Sequence, residues 1–333
     1  MRLRHIFFFL ALILIVLFGI VQFGQLTNFL SVIRSVNVWL LLVVIVLRYI
    51  YYWTNTKYFQ VYLKNFNQRV PFGTLFKDVV TMNFANTVFP TGGLSGVAIL
   101  RSRLRKNKIS AQTATVAQAF WLGFTVISFI LLLLLSLLML FLSNRIEQVS
   151  FRLILIALLL MLVASVAVIG LLLNRPATEH LGYFLTRPMN WLLKKFKRNA
   201  LEKAQFHELI NKFYATLLEF KNDWRLLVGP FWWCFVTLSI DILSLYTVFV
   251  AFGVYPNPGV VIAAFLVALV ASLASIATSG IGVIEIGMVT ILVGLGMSFD
   301  ISFSAVIVYR VISLWLFLPF GLYYYKRTML DEG

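Results

Sequence analysis

Long apolar runs are the feature that most limits what this chain can fold into. Residues 109–142 and 153–173 contain no charged residue, and residues 38–53, 226–254 and 303–324 contain one each. The hydrocarbon core of a bilayer is about 30 Å thick, and a helix of about 20 apolar residues crosses it. Because 61% of the 333 residues are hydrophobic and 12% are charged, the sequence predicts an all-α, polytopic integral membrane helical bundle.

Positive charges are distributed unevenly among the loops between these runs. Most of the 28 Lys and Arg residues lie in the N-terminus, in residues 57–77 and 101–108, in the central segment and in the C-terminus. The opposite loops hold few cations. Since cytoplasmic loops of membrane proteins carry the excess of Lys and Arg, we predict a multi-pass protein of the cell membrane with both termini in the cytoplasm. This placement accounts for the net charge of +16, and no nucleic-acid partner is expected.

Two glycine-containing segments interrupt apolar stretches, one in each half of the chain. Residues 75–89 form only about 22 Å of helix, which is too short to cross a bilayer. Because Lys77 and Arg101 both belong to the cytoplasmic charge pattern, residues 75–100 are predicted to form a re-entrant segment. Residues 259–297 are predicted to form a hairpin from the opposite face, with two full spans as the alternative. Two opposed hairpins predict an inverted repeat and a transporter-type site.

The repeat predicts a single transmembrane domain over residues 1–333. Its first half covers residues 1–173 and its second half covers residues 226–333. Between them, residues 174–225 carry ten Lys or Arg, with apolar residues at helical spacing. Such basic amphipathic helices are typical of segments that lie along an anionic membrane surface.

Charged residues within the apolar runs are the main candidates for a functional site. Glu285 follows the second break, and Asp241 and Arg310 lie within predicted spans. A charge at bilayer depth costs about 3 kcal/mol or more unless it faces a partner or a cavity. Structural alternatives stay open: an ion pair between Glu285 and Arg310, a packing hydrogen bond for Asp241, and glycines that only ease helix contact. Arg48, in an earlier span, is a further source of positive charge.

Residues at both breaks, together with the charged residues within the spans, are predicted to bind substrate. They are Asn83, Asn86, Pro90, Thr91, Gly92, Gly93, Gly96, Arg101, Asp241, Ser279, Gly280, Gly282, Glu285, Tyr309 and Arg310. Helix N-termini at the breaks would offer free N–H groups and positive dipole ends to a phosphate group. The clusters of Lys and Arg outside the spans are either topology determinants or headgroup binders.

No catalytic or metal-binding pattern accompanies these residues. The single cysteine, Cys234, and the three histidines show no metal-ligand spacing. The sequence also lacks an Asp-x-Asp pair, a His-Glu-x-x-His motif and a serine with a matching histidine. We therefore expect no cofactor, no bound metal and no enzymatic activity.

The two breaks also carry a family resemblance. Residues 89–96 read Phe-Pro-Thr-Gly-Gly-Leu-Ser-Gly and precede Arg101, and residues 280–285 read Gly-Ile-Gly-Val-Ile-Glu and precede Tyr309 and Arg310. In these motifs the chain resembles the lysylphosphatidylglycerol synthase transmembrane region family over nearly its whole length. That family includes the flippase-like membrane half of the bacterial multiple-peptide-resistance factor and stand-alone proteins. The resemblance implies a lipid-translocating or lipid-handling role, with the breaks near the substrate path.

The leading hypothesis is a transporter that moves an anionic-headgroup lipid, either a phospholipid or a polyprenyl-phosphate-linked lipid, between leaflets. A membrane-embedded transferase that acts on a lipid carrier is one alternative, and a scaffold for a partner lipid-modifying enzyme is another. Because no soluble aminoacyl-transfer domain follows Gly333, we expect that this chain alone does not make an aminoacylated lipid. A homo-oligomer is compatible with the sequence.

Overall fold

The computed structural model describes residues 36–89, 93–142, 149–180, 203–274 and 282–330, and the regular structure of these residues is helical. The main helices are α1 (Val38–Asn65), α2 (Phe72–Val88), α3 (Leu94–Lys106), α4 (Ala111–Phe141), α5 (Val149–Leu173), α6 (Lys203–Asn222), α7 (Arg225–Ala251), α8 (Pro258–Ala274), α9 (Val283–Gly294), α10 (Phe299–Arg310) and α11 (Leu318–Leu330). A π-helical turn, Val311–Trp315, follows α10.

Five helical segments among the described residues are long and apolar enough to cross a membrane. They are Val38–Asn65, Ala111–Phe141, Ile154–Leu173, Arg225–Ala251 and Phe299–Arg327. The predicted all-α polytopic bundle is therefore confirmed. The first of these helices continues beyond the apolar run of residues 38–53, because its later aromatic residues, Tyr58 and Tyr62, are buried in the protein core.

The first described helices of the two halves, α1 and α7, pack against each other along their lengths. At one end the N–H of Asn37 donates to the carbonyl of Ala251 at 2.9 Å. At the other end Asn65 Nδ2 donates to the carbonyl of Leu226 at 2.7 Å. The start of each helix thus meets the end of the other, so α1 and α7 are antiparallel, as corresponding helices of an inverted repeat are.

Each half continues with a hairpin helix, α2 or α8, and then a shorter helix. In the first half α3 has 13 residues, and in the second half α9 has 12 residues. Both short helices begin after a glycine with positive φ, 91° at Gly93 and 87° at Gly282. Glycine adopts such φ values readily because it lacks Cβ. The matched lengths and glycines extend the similarity between the halves.

The two hairpins, α2–α3 and α8–α9, are attached to opposite ends of α4. The first hairpin ends at Lys106, shortly before α4 begins. Near the last turns of α4, the hydroxyl of Ser136 donates to the carbonyl of Gly259 at the start of α8, at 2.7 Å. The first hairpin is therefore connected to the N-terminal end of α4, and the start of the second hairpin contacts its C-terminal end.

Helix α6 packs its apolar face onto the protein. Phe220 is 1% exposed and contacts Phe120 of α4 edge to face, with 4.9 Å between ring centroids. Aromatic side chains of α1 and α4, Tyr62 and Phe120, contact Phe220 of this helix. That residues 174–225 lie along the membrane surface stays a prediction. Residues 181–202 of the same prediction lie outside the described residues.

Candidate functional site

Glu285 and Arg310 form an ion pair at the start of α9. Arg310 Nε lies 2.6 Å from Glu285 Oε1, and the two side chains are 14% and 15% exposed. The second carboxylate oxygen, Oε2, accepts a hydrogen bond from the backbone N–H of Gly282 at 2.7 Å. One carboxylate is thus held by a helix N-terminus and by a guanidinium group from another helix.

The position of Glu285 in α9 explains its conformation. A glutamate at the third helical position can reach back to the N-cap N–H, which has no partner within the helix. The negative charge is also stabilised by the positive end of the helix dipole. Arg310 adds a charge-assisted hydrogen bond to the other oxygen. The expected ion pair is present, and its role toward a substrate stays a prediction.

Asp241 of α7 connects three helices. Its Oδ1 accepts hydrogen bonds from Arg48 Nη1 of α1 at 2.9 Å and from the hydroxyl of Tyr309 of α10 at 2.7 Å. The Arg48 guanidinium also lies over the ring of Tyr51, 4.0 Å from its centroid. Sequence reasoning named Arg48 only as an extra charge, although the spacing of three residues to Tyr51 is the spacing of contacting side chains on one helix.

The two charge clusters meet at the end of α10. Tyr309 and Arg310 are consecutive, and consecutive side chains on an α-helix point about 100° apart. Tyr309 therefore faces Asp241 while Arg310 faces Glu285. The π-helical turn Val311–Trp315 begins at the next residue, and π-helical turns occur frequently at functional sites.

The first break is closed by neutral groups. Asn86 Oδ1 accepts from the N–H of Gly96 at 2.8 Å, and Ser95 Oγ donates to the carbonyl of Ala85 at 2.9 Å. A Cβ at position 96 would overlap the side-chain amide of Asn86. A side chain at position 96 would therefore displace the Asn86 amide from its contact with α3.

The structure describes three further residues of the predicted site, Asn83, Gly93 and Arg101. Asn83 Nδ2 donates to the carbonyl of Val79 within its own helix, at 2.9 Å. Gly93 is the N-cap of α3, and Arg101 is exposed on that helix. The remaining predicted residues lie outside the described part of the chain: Pro90, Thr91, Gly92, Ser279 and Gly280.

One buried ion pair was not predicted from the sequence. Asp78 of α2 is 2% exposed and lies 3.3 Å from Arg103 Nε of α3. Arg103 Nη2 also approaches the carbonyl of Tyr324 in α11 at 3.5 Å. Asp78 is the only acidic residue in residues 57–108, so its isolation among basic residues was the signal that could have indicated this pair.

The described residues contain no group of three or more His, Cys, Asp or Glu side chains that could hold a metal ion. Cys234 is a buried free thiol in α7. The charged clusters are instead pairs of one acid and one arginine, which suit hydrogen bonding and charge compensation within an apolar protein.

The long apolar helices define a multi-pass α-helical membrane protein. The family model described as the lysylphosphatidylglycerol synthase TM region matches residues 6–321. The chain belongs to this family, and the resemblance carried by the two breaks is confirmed. A search of curated proteins finds no match.

Proposed function

We propose that the protein moves a lipid with an anionic headgroup between the two leaflets of the cell membrane. The observation that carries this proposal is the Glu285–Arg310 pair at the N-terminus of α9, which begins after an interrupted apolar segment. Backbone N–H groups at a helix N-terminus and an arginine are the groups that proteins use to bind phosphate. Membership in a family related to membrane lipid metabolism supports a lipid as the substrate.

The length of α2 supports re-entrant insertion of the first hairpin. Helix α2 has 17 residues, which gives about 25 Å of helix, less than the roughly 30 Å of a hydrocarbon core. The last turn of α3 carries Arg103, Arg105 and Lys106, so we place that end and both chain termini in the cytoplasm. The second hairpin then enters from the opposite face, and both breaks lie within the membrane.

In this arrangement the breaks supply polar groups along a path for the headgroup. Backbone N–H groups at the start of α9 would bind the phosphate of a phospholipid or a polyprenyl phosphate, and Arg310 would balance its charge. The start of α3 would contribute neutral polar groups to the same path. Transport requires no covalent step. A lipid-carrier transferase and a scaffold for a lipid-modifying enzyme remain the alternative functions, and both predict no lipid movement by the purified protein alone.

Lipid movement by the purified chain in vesicles tests the proposed function. Vesicles would contain fluorescent phosphatidylglycerol, phosphatidylcholine or a polyprenyl phosphate, and a membrane-impermeant reductant would report the label in the outer leaflet. We expect faster loss of label for the anionic lipids and little movement with Arg310→Ala. The matched control is Arg175→Ala, which removes an exposed arginine paired with Glu179 at 2.9 Å. Equal rates for all lipids, or full activity of Arg310→Ala, would contradict the proposed function.

A further inference from the structure

We propose that Glu285 is an internal anion, which occupies the phosphate-binding groups of the second break until a lipid headgroup displaces it. This role rests on the proposed function and adds how its site is kept closed without substrate. The ligand class is a phosphate-type anion, supplied by a lipid headgroup.

The contacts of Glu285 are those that a bound phosphate would make. One carboxylate oxygen accepts from the N–H of Gly282 and the other from Arg310 Nε, at 2.7 and 2.6 Å. A phosphate group likewise accepts hydrogen bonds from helix N-termini and from arginine through separate oxygens. A headgroup phosphate and the Glu285 carboxylate therefore compete for the same two donors.

The first break shows that a helix start in this protein does not need a carboxylate. Counted from the glycine before each short helix, Gly96 in α3 occupies the position of Glu285 in α9. There the neutral amide of Asn86 accepts from the N–H of Gly96 itself, and the first turn of α3 contains no acidic residue. Because α3 begins without a carboxylate, and because charges at bilayer depth are costly, the acid at the start of α9 has a purpose beyond capping the helix.

Displacement has a consequence for the carboxylate. Once a phosphate takes both donors, the Glu285 carboxylate loses the two hydrogen bonds that hold it at the start of α9. Asp241, near the same end of α10, keeps its hydrogen bonds from Arg48 and Tyr309. Ligand binding should therefore make Glu285 more reactive toward reagents that modify carboxyl groups, whereas an ordinary binding residue would become protected.

The first experiment measures binding to the purified full chain in detergent. The probes are dihexanoyl phosphatidylglycerol, dihexanoyl phosphatidylcholine and inorganic phosphate, and the readout is the rise in Tm with concentration. We expect Glu285→Gln to lower the half-saturating concentration of phosphatidylglycerol about tenfold, because one charge-assisted competitor is removed. Glu179→Gln, which removes a carboxylate from a surface ion pair, should bind like the unmodified protein. Unchanged or weaker binding by Glu285→Gln would overturn the internal-anion role.

The second experiment uses the unmodified protein, so it does not depend on the folding of a variant. A hydrophobic carbodiimide would label carboxyl groups with and without dihexanoyl phosphatidylglycerol, and peptide mass spectrometry would quantify the label at Glu285 and Asp241. We expect the lipid to raise labelling of Glu285 several-fold while Asp241 stays constant. Protection of Glu285, or equal changes at both residues, would overturn the internal-anion role.

The outcomes separate this role from the proposed function. If the unmodified protein moves lipid but Glu285→Gln does not bind phosphatidylglycerol more tightly, the transport function stands and the internal-anion role is wrong. If Glu285→Gln binds more tightly and the lipid raises labelling of Glu285, but the unmodified protein moves no lipid, the internal-anion role stands and the transport function is wrong. Equal effects of inorganic phosphate and phosphatidylglycerol would support displacement of Glu285 and overturn the assignment of the ligand to a lipid headgroup.

Discussion

At the scale of single residues, substitutions of Glu285 and Arg310 are expected to affect stability and lipid movement differently. Glu285→Gln keeps the shape of the side chain and a hydrogen-bond acceptor for Gly282, so we expect a folded protein with strongly reduced lipid movement. Arg310→Ala leaves an uncompensated carboxylate, which costs about 3 to 5 kcal/mol where the site is dry. Both stability and lipid movement should fall in that variant. Thermal unfolding in detergent and the vesicle assay measure the two effects.

The charge-reversed double variant, Glu285→Arg with Arg310→Glu, is the control for this pair. It restores opposite charges but places the negative group on α10, so it should regain more stability than activity. Unchanged lipid movement by Glu285→Gln would show that the carboxylate is only structural, as would full recovery of activity in the reversed pair.

Gly96 gives a second prediction at the residue scale. Gly96→Ala places a methyl group against the Asn86 amide and breaks its hydrogen bond to the backbone, which should cost about 1 to 2 kcal/mol. Gly123→Ala in α4 is the control, because nothing lies within 4 Å of a Cβ there and alanine favours a helix. Tm should fall for Gly96→Ala and hold or rise for Gly123→Ala. A higher Tm for Gly96→Ala would contradict the close contact of α2 and α3.

At the scale of helices, the Arg48–Asp241 pair is predicted to hold α1, α7 and α10 together. Asp241→Leu alone leaves a buried guanidinium group without its carboxylate, with a cost of about 3 to 5 kcal/mol. The double variant Arg48→Leu with Asp241→Leu removes both charges, so it should recover much of the lost stability. Tm values of the single and double variants test this. A double variant less stable than Asp241→Leu would show that Arg48 is stabilised by groups other than Asp241.

The sequence predicted the helices correctly where a long apolar run determines the structure, as in α4 and α7. It underestimated α1, because the second half of that helix is amphipathic and gains its stability from aromatic contacts with α4 and α6 that arise only in the fold. The same contacts cover part of the apolar face of α6, and the predicted position of this helix along the membrane surface stays a prediction. Periodicity identifies which face of a helix is apolar, but it does not say whether lipid or protein covers that face.

The sequence indicated the charged residues of the candidate site but not the residues that they contact. Glu285, Asp241 and Arg310 were recognisable because charges are rare in apolar segments. Their partners were harder to predict, since the hydrogen bonds of Asp241 to Arg48 and Tyr309 join residues far apart in the sequence. The Asn86–Gly96 contact depends on a close approach of two helices, which composition and spacing do not specify.

At the scale of the whole molecule, the charge distribution predicts which loops face the cytoplasm. In a Cys234→Ser background, we expect Lys106→Cys and Arg198→Cys to react with a membrane-impermeant thiol reagent only after cells are opened. Arg34→Cys and Glu147→Cys should react in intact cells, because they lie in the loops with few cations. Labelling of position 198 from outside would overturn this orientation. Labelling of position 106 from outside would show that the first hairpin crosses the membrane.

The difference between the two breaks determines how many lipids one chain binds at a time. Both short helices begin after a glycine with positive φ. Of these two helix starts, however, only that of α9 joins a carboxylate and a guanidinium group, while the start of α3 is closed by an amide. An inverted repeat with two equivalent breaks would bind two headgroups. We therefore expect titration of the purified protein with short-chain phosphatidylglycerol to saturate at one lipid per chain.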